Sequence, residues 1–280
     1  MRRANCGELK ANAAPEADRE EIKKVGYNII VLDLDGTLTN RDKVITPRTK
    51  EALMRAQEQG KIVVLASGRP TAGVKPLAEE LELARFGSYI LSYNGGMITN
   101  CRTGEAVFSA LLPLDSNEKI ISLGEEIITN NADCTYAHKE AAINHLPLRQ
   151  VEDMASYVTF QVPKFLMLDD GDYLATVEPR VKAAMGKNFS VYRSEPYFLE
   201  VLPKGIDKAK SLERLLETLG MTREEMIACG DGYNDLTMIQ YAGLGVAMEN
   251  AVLPVRKAAD YITASNNEDG VGLVVEKFML

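Results

Sequence analysis

The sequence has few of the residues that build zinc sites or disulfide frameworks. Its 280 residues include only four cysteines and two histidines. The cysteines form no C-x-x-C pair, and His138 and His145 stand outside any H-E-x-x-H pattern. These absences argue against a zinc site and against a thiol redox pair. We therefore expect reduced thiols and a cytoplasmic protein.

Long apolar runs and blocks of positive charge are missing as well. No stretch approaches the ~18 apolar residues of a membrane-spanning helix, and residues 1–26 lack the apolar segment of a signal peptide. The formal net charge is −8, and the chain has no Lys/Arg block. Because nonspecific nucleic-acid binding needs a basic face, neither nucleic acid nor a membrane is an expected partner. An anionic substrate would have to be captured locally.

The residues that are present have the composition of a large globular chain. Hydrophobic residues make up 46% of the sequence and charged residues 26%. A chain of this length and composition can bury a large core and predicts more than one domain. We interpret the polar residues 1–26 as a mobile tail. No coiled-coil pattern appears, so a monomer is the default expectation.

Short, continuous apolar runs mark the strands of a buried parallel sheet. Residues 28–32 form the first run, and residues 61–66 and 89–92 repeat the pattern. The absence of polar–apolar alternation indicates strands covered on both faces. Between them, a helix is predicted to begin after a capping Thr46 and to end before Gly60. This alternation of strands and helices is typical of a doubly wound, Rossmann-like α/β fold.

The pattern changes between residues 98 and 198. Strand candidates there are residues 105–108, 164–168 and 190–193, and helix candidates are residues 116–130 and 173–184. We interpret residues 98–198 as an inserted α+β domain. The α/β pattern then returns, with an amphipathic helix that ends at Gly220. Residues 27–97 and 199–280 are therefore predicted to form one core domain.

Polar side chains follow several of the predicted core strands directly. Asp33 and Asp35 come after the first, Ser67 and Asn94 after the next two, and Asp231 after a later one. One Asp-Gly pair is ordinary turn chemistry, but ligands of open parallel sheets bind beyond the carboxyl ends of strands. Carboxylates gathered there repel each other, and a divalent cation relieves the repulsion. Oxygen ligands of this kind suit Mg²⁺.

Four motifs resemble, in order, those of the haloacid dehalogenase superfamily. They are Asp33-Leu34-Asp35-Gly36-Thr37, Ser67-Gly68-Arg69-Pro70, Lys208 with the preceding Gly205-Ile206-Asp207, and Gly230-Asp231-Gly232-Tyr233-Asn234-Asp235. The insertion lies between the second and third motifs, where the larger type of cap domain sits in this superfamily. Other stretches, such as Tyr93-Asn94-Gly95-Gly96, make residues 27–280 similar to the Cof-type sugar phosphatases, which carry the class IIB cap.

The resemblance implies catalytic and metal-binding roles. Asp33 would be the nucleophile that forms an aspartyl-phosphate, and Asp35 the general acid and base. The Asp33 side chain, the Asp35 backbone carbonyl and Asp231 would hold Mg²⁺. Asp235 would be a ligand through water or an anchor behind the metal.

The resemblance also implies a set of phosphate-binding groups. The Ser67 hydroxyl and the Gly68 N–H would contact phosphate oxygens, and Asn234 could donate to the same phosphate. Lys208 would mask the phosphate's charge. Lys204 is a competitor for that role, but Lys208 is favoured because it opens a predicted helix, whose N-terminus attracts phosphate.

The function implied by the resemblance is a Mg²⁺-dependent phosphatase of small phosphorylated metabolites, with sugar phosphates as the first expectation. Pyridoxal phosphate and FMN are alternative substrates, and a sugar phosphomutase is an alternative activity. Asp35 argues against the related ion pumps, which carry threonine there. A receiver-type signalling module is a further alternative, but it is much shorter than this chain.

Substrate choice is expected to depend on the inserted residues 98–198. Arg149, Glu178 and Arg193 are available there to contact sugar hydroxyls. Charged side chains of this kind more often form exposed ion pairs, and that is the simpler expectation.

Overall fold

The computed structural model describes residues 26–112, 121–123 and 126–280. The predicted mobile tail therefore lies outside the described residues, except for Gly26. In chain order, the strands are β1 (Ile29–Leu32), β2 (Ile62–Ala66), β3 (Tyr89–Ser92), β4 (Met97–Asn100), β5 (Ala106–Ser109), β6 (Ile121–Leu123), β7 (Glu126–Thr129), β8 (Leu148–Gln150), β9 (Phe165–Leu168), β10 (Phe189–Glu195), β11 (Phe198–Pro203), β12 (Met226–Gly230), β13 (Leu244–Ala247) and β14 (Tyr261–Ile262).

The helices lie between these strands. In chain order, they are α1 (Pro47–Glu58), α2 (Thr71–Glu80), α3 (Leu83–Phe86), α4 (Thr135–Asn144), α5 (Met154–Tyr157), α6 (Gly171–Met185), α7 (Lys208–Leu219), α8 (Leu236–Tyr241), α9 (Leu253–Ala258) and α10 (Gly270–Phe278). Within the part of the chain that the structure describes, no helix is both long and apolar enough to span a membrane.

The first sheet confirms the predicted doubly wound α/β fold. Its strand order is β14-β13-β12-β1-β2-β3-β4-β5, and β1 pairs in parallel with both β2 and β12. The four residues of β1 are fully buried, which explains their unbroken apolar run. The chain leaves β1 towards β2 on one side, while β12 lies on the other. Ligands bind at such a switch point in open α/β sheets.

The helix α7 forms as its sequence predicts. Its buried face includes Leu212, Leu215 and Leu216. At its start the Asp207 side chain accepts a hydrogen bond from the Lys210 N–H at 3.0 Å. At its end Gly220 adopts the left-handed conformation, with φ 66°. These local signals place Lys208 in the first turn of the helix, at the edge of the sheet.

The helix α1 forms where it is predicted, but the side chain of Thr46 does not cap it. Thr46 precedes the helix, and its carbonyl accepts the first helical hydrogen bond from Lys50 at 2.9 Å. Its side chain makes no capping hydrogen bond, and Oγ1 is buried without a partner among the residues that the structure describes. The predicted side-chain cap is therefore wrong. Pro47 at the first helical position already removes one N–H that would need a cap.

The second sheet has the order β10-β11-β9-β6-β7-β8 and is mostly antiparallel. Its own apolar cluster includes Phe165, Leu174, Val191 and Leu199. Sheet membership cuts across the predicted boundaries at residues 98 and 198. In the first sheet β4 pairs with β3 and β5 pairs with β4, and in the second sheet β11 pairs with β10 and β9. Pairing between neighbouring strands decides which sheet each strand joins, and the sequence pattern alone does not show it. Residues 98–109 therefore lie in the first sheet, and residues 198–203 lie in the second.

The helix predicted at residues 116–130 is wrong where the structure describes it. Residues 121–123 and 126–129 form β6 and β7, and the rest of that range except residue 130 lies outside the described residues. Ile127, Ile128 and Thr129 are buried on both faces of the sheet. Successive β-branched residues favour a strand when both faces find packing partners.

Candidate active site

The candidate site lies where β1, β2, β3 and β12 end. Asp33 follows β1 directly and continues the ladder, since its N–H donates to the Cys229 carbonyl at 3.1 Å. Asp231 follows β12, and Ser67 and Asn94 lie beyond β2 and β3. The polar residues that the sequence places after separate strands therefore lie at one edge of the sheet.

Lys208 lies at the centre of this edge and is fully buried. Its Nζ donates to Asp33 Oδ1 and to Asp235 Oδ1, both at 2.6 Å, and to the Ala66 carbonyl at 2.9 Å. These acceptors match the three N–H groups of an ammonium. Burial alone would lower the pKa of Lys208, but the charges of Asp235 and Asp33 raise it above its usual value. The lysine therefore stays protonated at neutral pH.

A cluster of carboxylates surrounds the lysine. Asp33, Asp231 and Asp235 each offer an oxygen, and these atoms lie within 4.8 Å of one another. Burial, and then the charge of Asp235, raise the pKa of Asp33 well above its usual range. Burial also raises the pKa of Asp231 to about 6. The cluster has more negative charge than one lysine can balance.

The cluster fits a hard divalent cation. Both Asp235 oxygens are already engaged, because Oδ2 accepts the N–H groups of Asp231 and Gly232 at 3.0 and 2.9 Å. Asp33 Oδ2 and Asp231 Oδ2 accept no hydrogen bond from the residues that the structure describes. An all-oxygen set of this kind suits Mg²⁺, whose charge would favour the ionised carboxylates. With both oxygens engaged, Asp235 fits the predicted role of an anchor behind a cation better than that of a direct ligand.

Gly36 lets the chain approach this cluster closely. It has φ 90°, and a Cβ there would lie 2.4 Å from Asp231 Oδ2. A side chain at this position would push the Asp231 carboxylate away. Thr37, the next residue, donates from Oγ1 to Asp231 Oδ1 at 2.7 Å and orients the same carboxylate.

Asp35 is held by two cations that the sequence analysis did not assign to it. Arg69 binds it with two hydrogen bonds, from Nε at 2.9 Å and from a terminal nitrogen at 2.6 Å. Lys43 donates to Oδ1 at 2.7 Å. Burial alone would raise the pKa of Asp35, but hydrogen bonds and charge from Arg69, and then from Lys43, lower it. Arg69 lies within the second motif, so the motif itself was the available signal.

The predicted phosphate-binding groups lie on loops that are hydrogen-bonded to each other. The Asn94 N–H donates to the Ser67 carbonyl at 2.9 Å, and the Asn234 side chain donates to Asn94 Oδ1 at 3.2 Å. Gly68 lies against the same amide, since a Cβ there would be 3.0 Å from Asn94 Nδ2. The structure thus brings Ser67, Gly68 and Asn234 to one side of the carboxylate cluster.

Lys204 does not reach the site. Its Nζ donates to the Lys187 carbonyl at 2.7 Å on the protein surface. The structure therefore places Lys208, and not Lys204, among the carboxylates.

The charged residues considered for the insertion form surface ion pairs, as the simpler expectation has it. Arg149 pairs with Glu126 at 3.1 Å, and Arg193 with Glu178 at 2.9 Å.

Three residues in or next to the second sheet lie near the site, and the sequence motifs do not predict them as site residues. Lys164 donates from Nζ to the Gly68 carbonyl at 3.3 Å and lies 3.5 Å from Glu200 Oε1. The hydroxyl of Tyr192 accepts from Asn94 Nδ2 at 2.9 Å. Alternation along β11 could have revealed Glu200, since it points away from the face of Leu199 and Val201. Nothing local marks the other two.

The chain is similar in sequence and in structure to known hydrolases and phosphatases. A family model described as haloacid dehalogenase-like hydrolase matches residues 30–275. A solved haloacid dehalogenase-like hydrolase from Bacteroides thetaiotaomicron is 49% identical with TM-score 0.86, covering 90% of this chain and 99% of its own. The sugar phosphatase BT4131, of HAD subclass IIB, is 25% identical with TM-score 0.72 and coverages of 90% and 98%. The 5-amino-6-(5-phospho-D-ribitylamino)uracil phosphatase YcsE of Bacillus subtilis is 32% identical over 257 residues, with coverages of 91% and 97%.

Proposed function

Because the chain belongs to the haloacid dehalogenase-like hydrolases, and similar proteins are named phosphatases, we propose that it is a Mg²⁺-dependent phosphatase acting through Asp33. The observation that carries the proposal is the contact of a buried nucleophile with a buried cation. Asp33 and Lys208 lie 2.6 Å apart within a cluster of carboxylates that fits a divalent ion. Phosphoryl transfer depends mainly on positioning and on neutralising charge, and this site supports both.

The first half of the reaction forms a covalent intermediate on Asp33. The Asp33 carboxylate attacks phosphorus, and the bond from phosphorus to the ester oxygen breaks. Asp35 gives a proton to the departing oxygen. Lys208 faces the attacking carboxylate and stabilises the charge that develops beside it. A bound Mg²⁺, held by Asp33, the Asp35 carbonyl and Asp231, would neutralise phosphate oxygens.

The second half returns the enzyme to its starting state. Asp35, now ionised, removes a proton from water. The resulting hydroxide attacks phosphorus, and the bond from Asp33 oxygen to phosphorus breaks to release inorganic phosphate. Arg69 and Lys43 hold Asp35 in its ionised form before substrate arrives. After phosphate leaves, Asp35 loses its proton to water and pairs again with these two cations. In the next cycle the incoming phosphate competes for both cations, and Asp35 takes up from water the proton that the first half requires.

The proposed substrates are phosphate monoesters of sugars and sugar alcohols. Two similarities support this class. One relative is named a sugar phosphatase, and another is named for a phospho-ribityl substrate. Pyridoxal phosphate, FMN and isomerisation of a sugar phosphate are the alternatives that the assay must include.

The proposal is tested by a panel of phosphorylated metabolites with Mg²⁺, read out as released inorganic phosphate. We expect hydrolysis of at least one sugar or sugar alcohol phosphate by the wild type. Asp33→Asn should lower kcat by roughly 10³-fold or more, as the loss of a nucleophile does. The matched control is Asp42→Asn, an exposed acid in the loop between β1 and α1, which should retain activity. Equal activity of Asp33→Asn and wild type would refute the mechanism.

Metal dependence is a separate test of the same proposal. Excess EDTA should abolish phosphate release, and added Mg²⁺ should restore it. Asp231→Asn should raise the Mg²⁺ concentration needed for half-maximal activity, because it removes a charged ligand. Full activity in EDTA would exclude the proposed role of the ion.

A further inference from the structure

Two side chains of the second sheet hold the loops that carry the predicted phosphate-binding groups. Lys164, just before β9, donates to the Gly68 carbonyl, and Tyr192, on β10, accepts from the Asn94 side chain. We propose that Lys164 and Tyr192 are positioning residues that fix the phosphate-binding loop, residues 67–70, when the second sheet is docked on the core. The inference rests on the proposed phosphatase function and adds to it a control of phosphate binding by the second sheet.

Acidic neighbours hold the Lys164 side chain in place. The side chains of Lys164 and Glu200 are 3% and 4% exposed, so water cannot compete for their contact. Among the residues that the structure describes, Glu200 Oε2 is buried without a hydrogen-bond partner, and Lys164 is the cation that lies against the other oxygen, Oε1. Glu140 on α4 is also buried close enough to interact with Lys164 electrostatically. A charged lysine in this setting needs a further acceptor, and the Gly68 carbonyl supplies it.

The contact with Gly68 acts on the rest of the loop through one peptide plane. The Gly68 carbonyl and the Arg69 N–H belong to the same planar unit. That N–H donates to Ser67 Oγ at 3.1 Å, and Ser67 Oγ is the predicted phosphate ligand. Gly68 has no Cβ to restrict its backbone, so an external hydrogen bond is needed to set this plane. Lys164 therefore fixes the direction of the Ser67 hydroxyl without contacting substrate.

Tyr192 fixes the other side of the loop through Asn94. The Asn94 amide donates to the Tyr192 hydroxyl at 2.9 Å and accepts from Asn234 at 3.2 Å. Its backbone N–H also donates to the Ser67 carbonyl at 2.9 Å. With partners at both ends, the amide has one orientation, and that orientation presents an acceptor to Asn234. Loss of the Tyr192 hydroxyl would leave Asn94, and with it Asn234, less well oriented.

Both contacts cross from one sheet to the other, so lifting the second sheet breaks them together. Phosphate binding is then strongest when the second sheet is docked over the site. A phosphatase gains from this arrangement, because water is excluded when the phosphate is held and product leaves once the contacts open.

The test uses Lys164→Met and Tyr192→Phe, with Lys182→Met as the control. Lys182 is an exposed lysine on α6, a helix that packs on β10 and β11 of the second sheet, and it pairs with Glu178 at 2.7 Å. The readouts are the Kd of inorganic phosphate with Mg²⁺ present, kcat and KM for a hydrolysed substrate, and Tm. Lys164→Met should raise the phosphate Kd by about 10- to 100-fold, the range for a lost charged hydrogen bond, and lower kcat as well. Tyr192→Phe should raise it about 3- to 10-fold, and Lys182→Met should not change it.

Three results would overturn the inference. An unchanged phosphate Kd with a lower Tm would show a structural role only. A change confined to the KM of the organic substrate would show contact with the leaving group. An equal effect of Lys182→Met would show a general effect of charge. If Lys164→Met does not fold, Tyr192→Phe decides the question, since it removes one hydroxyl and no charge. If the wild type hydrolyses nothing, the proposed function fails, while the phosphate Kd values still test the positioning role.

Discussion

Two buried lysines contact backbone carbonyls at and just beyond the end of β2. Lys208 comes from the first sheet's own helix α7 and contacts the Ala66 carbonyl, and Lys164 comes from the second sheet and contacts the Gly68 carbonyl. Lys208 contacts two carboxylates, and Lys164 contacts one with a second nearby. The two halves of the protein thus place a lysine on backbone carbonyls two residues apart, at the last residue of β2 and in the loop that follows it.

The two lysines differ in the lengths of their contacts. Lys208 makes contacts of 2.6 to 2.9 Å within one rigid sheet edge, whereas Lys164 makes contacts of 3.3 and 3.5 Å. Short charged hydrogen bonds that are fully desolvated are strong, and longer ones are easier to break. We therefore regard Lys208 as the permanent cation of the proposed reacting groups and Lys164 as the releasable cation of the proposed phosphate-binding loop.

The largest expected effect is that of removing the permanent cation. Lys208→Met leaves Asp33 and Asp235 buried without a counter-charge, so we expect unfolding free energy to fall by about 3–5 kcal/mol without metal. kcat should fall by roughly 10²-fold or more, since a group that stabilises developing charge is lost. Urea unfolding and phosphate-release assays measure the two effects.

Lys204→Met is the control for Lys208→Met, because Lys204 is close in sequence but contacts only a surface carbonyl. It should leave kcat unchanged. A similar loss of kcat in both variants would contradict the distinction between the two positions.

A smaller effect is expected from crowding the carboxylate cluster without changing its charge. Gly36→Ala strains the backbone and pushes Asp231 Oδ2, whereas Gly60→Ala has φ 83° and no atom within 4 Å of the new Cβ. Both should lose about 1–2 kcal/mol of unfolding free energy from backbone strain. Only Gly36→Ala should also raise the Mg²⁺ requirement. An equal Mg²⁺ requirement in the two variants would show that Asp231 can move without loss.

The smallest expected effect is a change in stability with pH, and it concerns Glu140, an acidic residue near Lys164. Burial raises the pKa of Glu140, which faces Lys164, Glu200 and Arg69. A carboxyl whose folded pKa is raised stabilises the fold below its unfolded pKa, and this stabilisation is lost as pH rises through the folded pKa. Glu140→Gln does not titrate. Its unfolding free energy relative to wild type should therefore increase as pH rises above about 4.3, the ordinary pKa of a glutamate.

Glu178→Gln, on the helix α6, should change stability with pH in the opposite direction. The side-chain hydrogen bond from Lys182 is the main cause that lowers the pKa of Glu178, with Arg193 adding to it. Its ionised form therefore stabilises the fold above the unfolded pKa, and the contribution is lost as pH falls through the folded pKa. Relative to wild type, Glu178→Gln should become slightly less stable as pH rises. Parallel pH profiles for the two variants would contradict the difference in their environments.

Much of the fold follows from short-range patterns. The apolar runs of β1 and β2 could be predicted as strands from their own residues, because strands covered on both faces have no polar positions. The helix predicted at residues 116–130 failed where it could be compared, since Ile127 and Ile128 suit a strand once the sheet provides neighbours on both faces. The position of β4 and β5 depended equally on pairing, which no single segment specifies.

The sequence by itself determined where the proposed reacting groups lie. Asp33, Asp231 and Lys208 each occupy the residue next to a strand end or helix start, and parallel strands bring such residues to one edge. Only the tertiary structure decided which groups hold them. The Arg69–Asp35 pair, the Lys164–Gly68 contact and the Tyr192–Asn94 contact join residues 34, 96 and 98 positions apart. Contacts at such separations depend on how loops close and sheets dock, which leaves no signal in the local pattern.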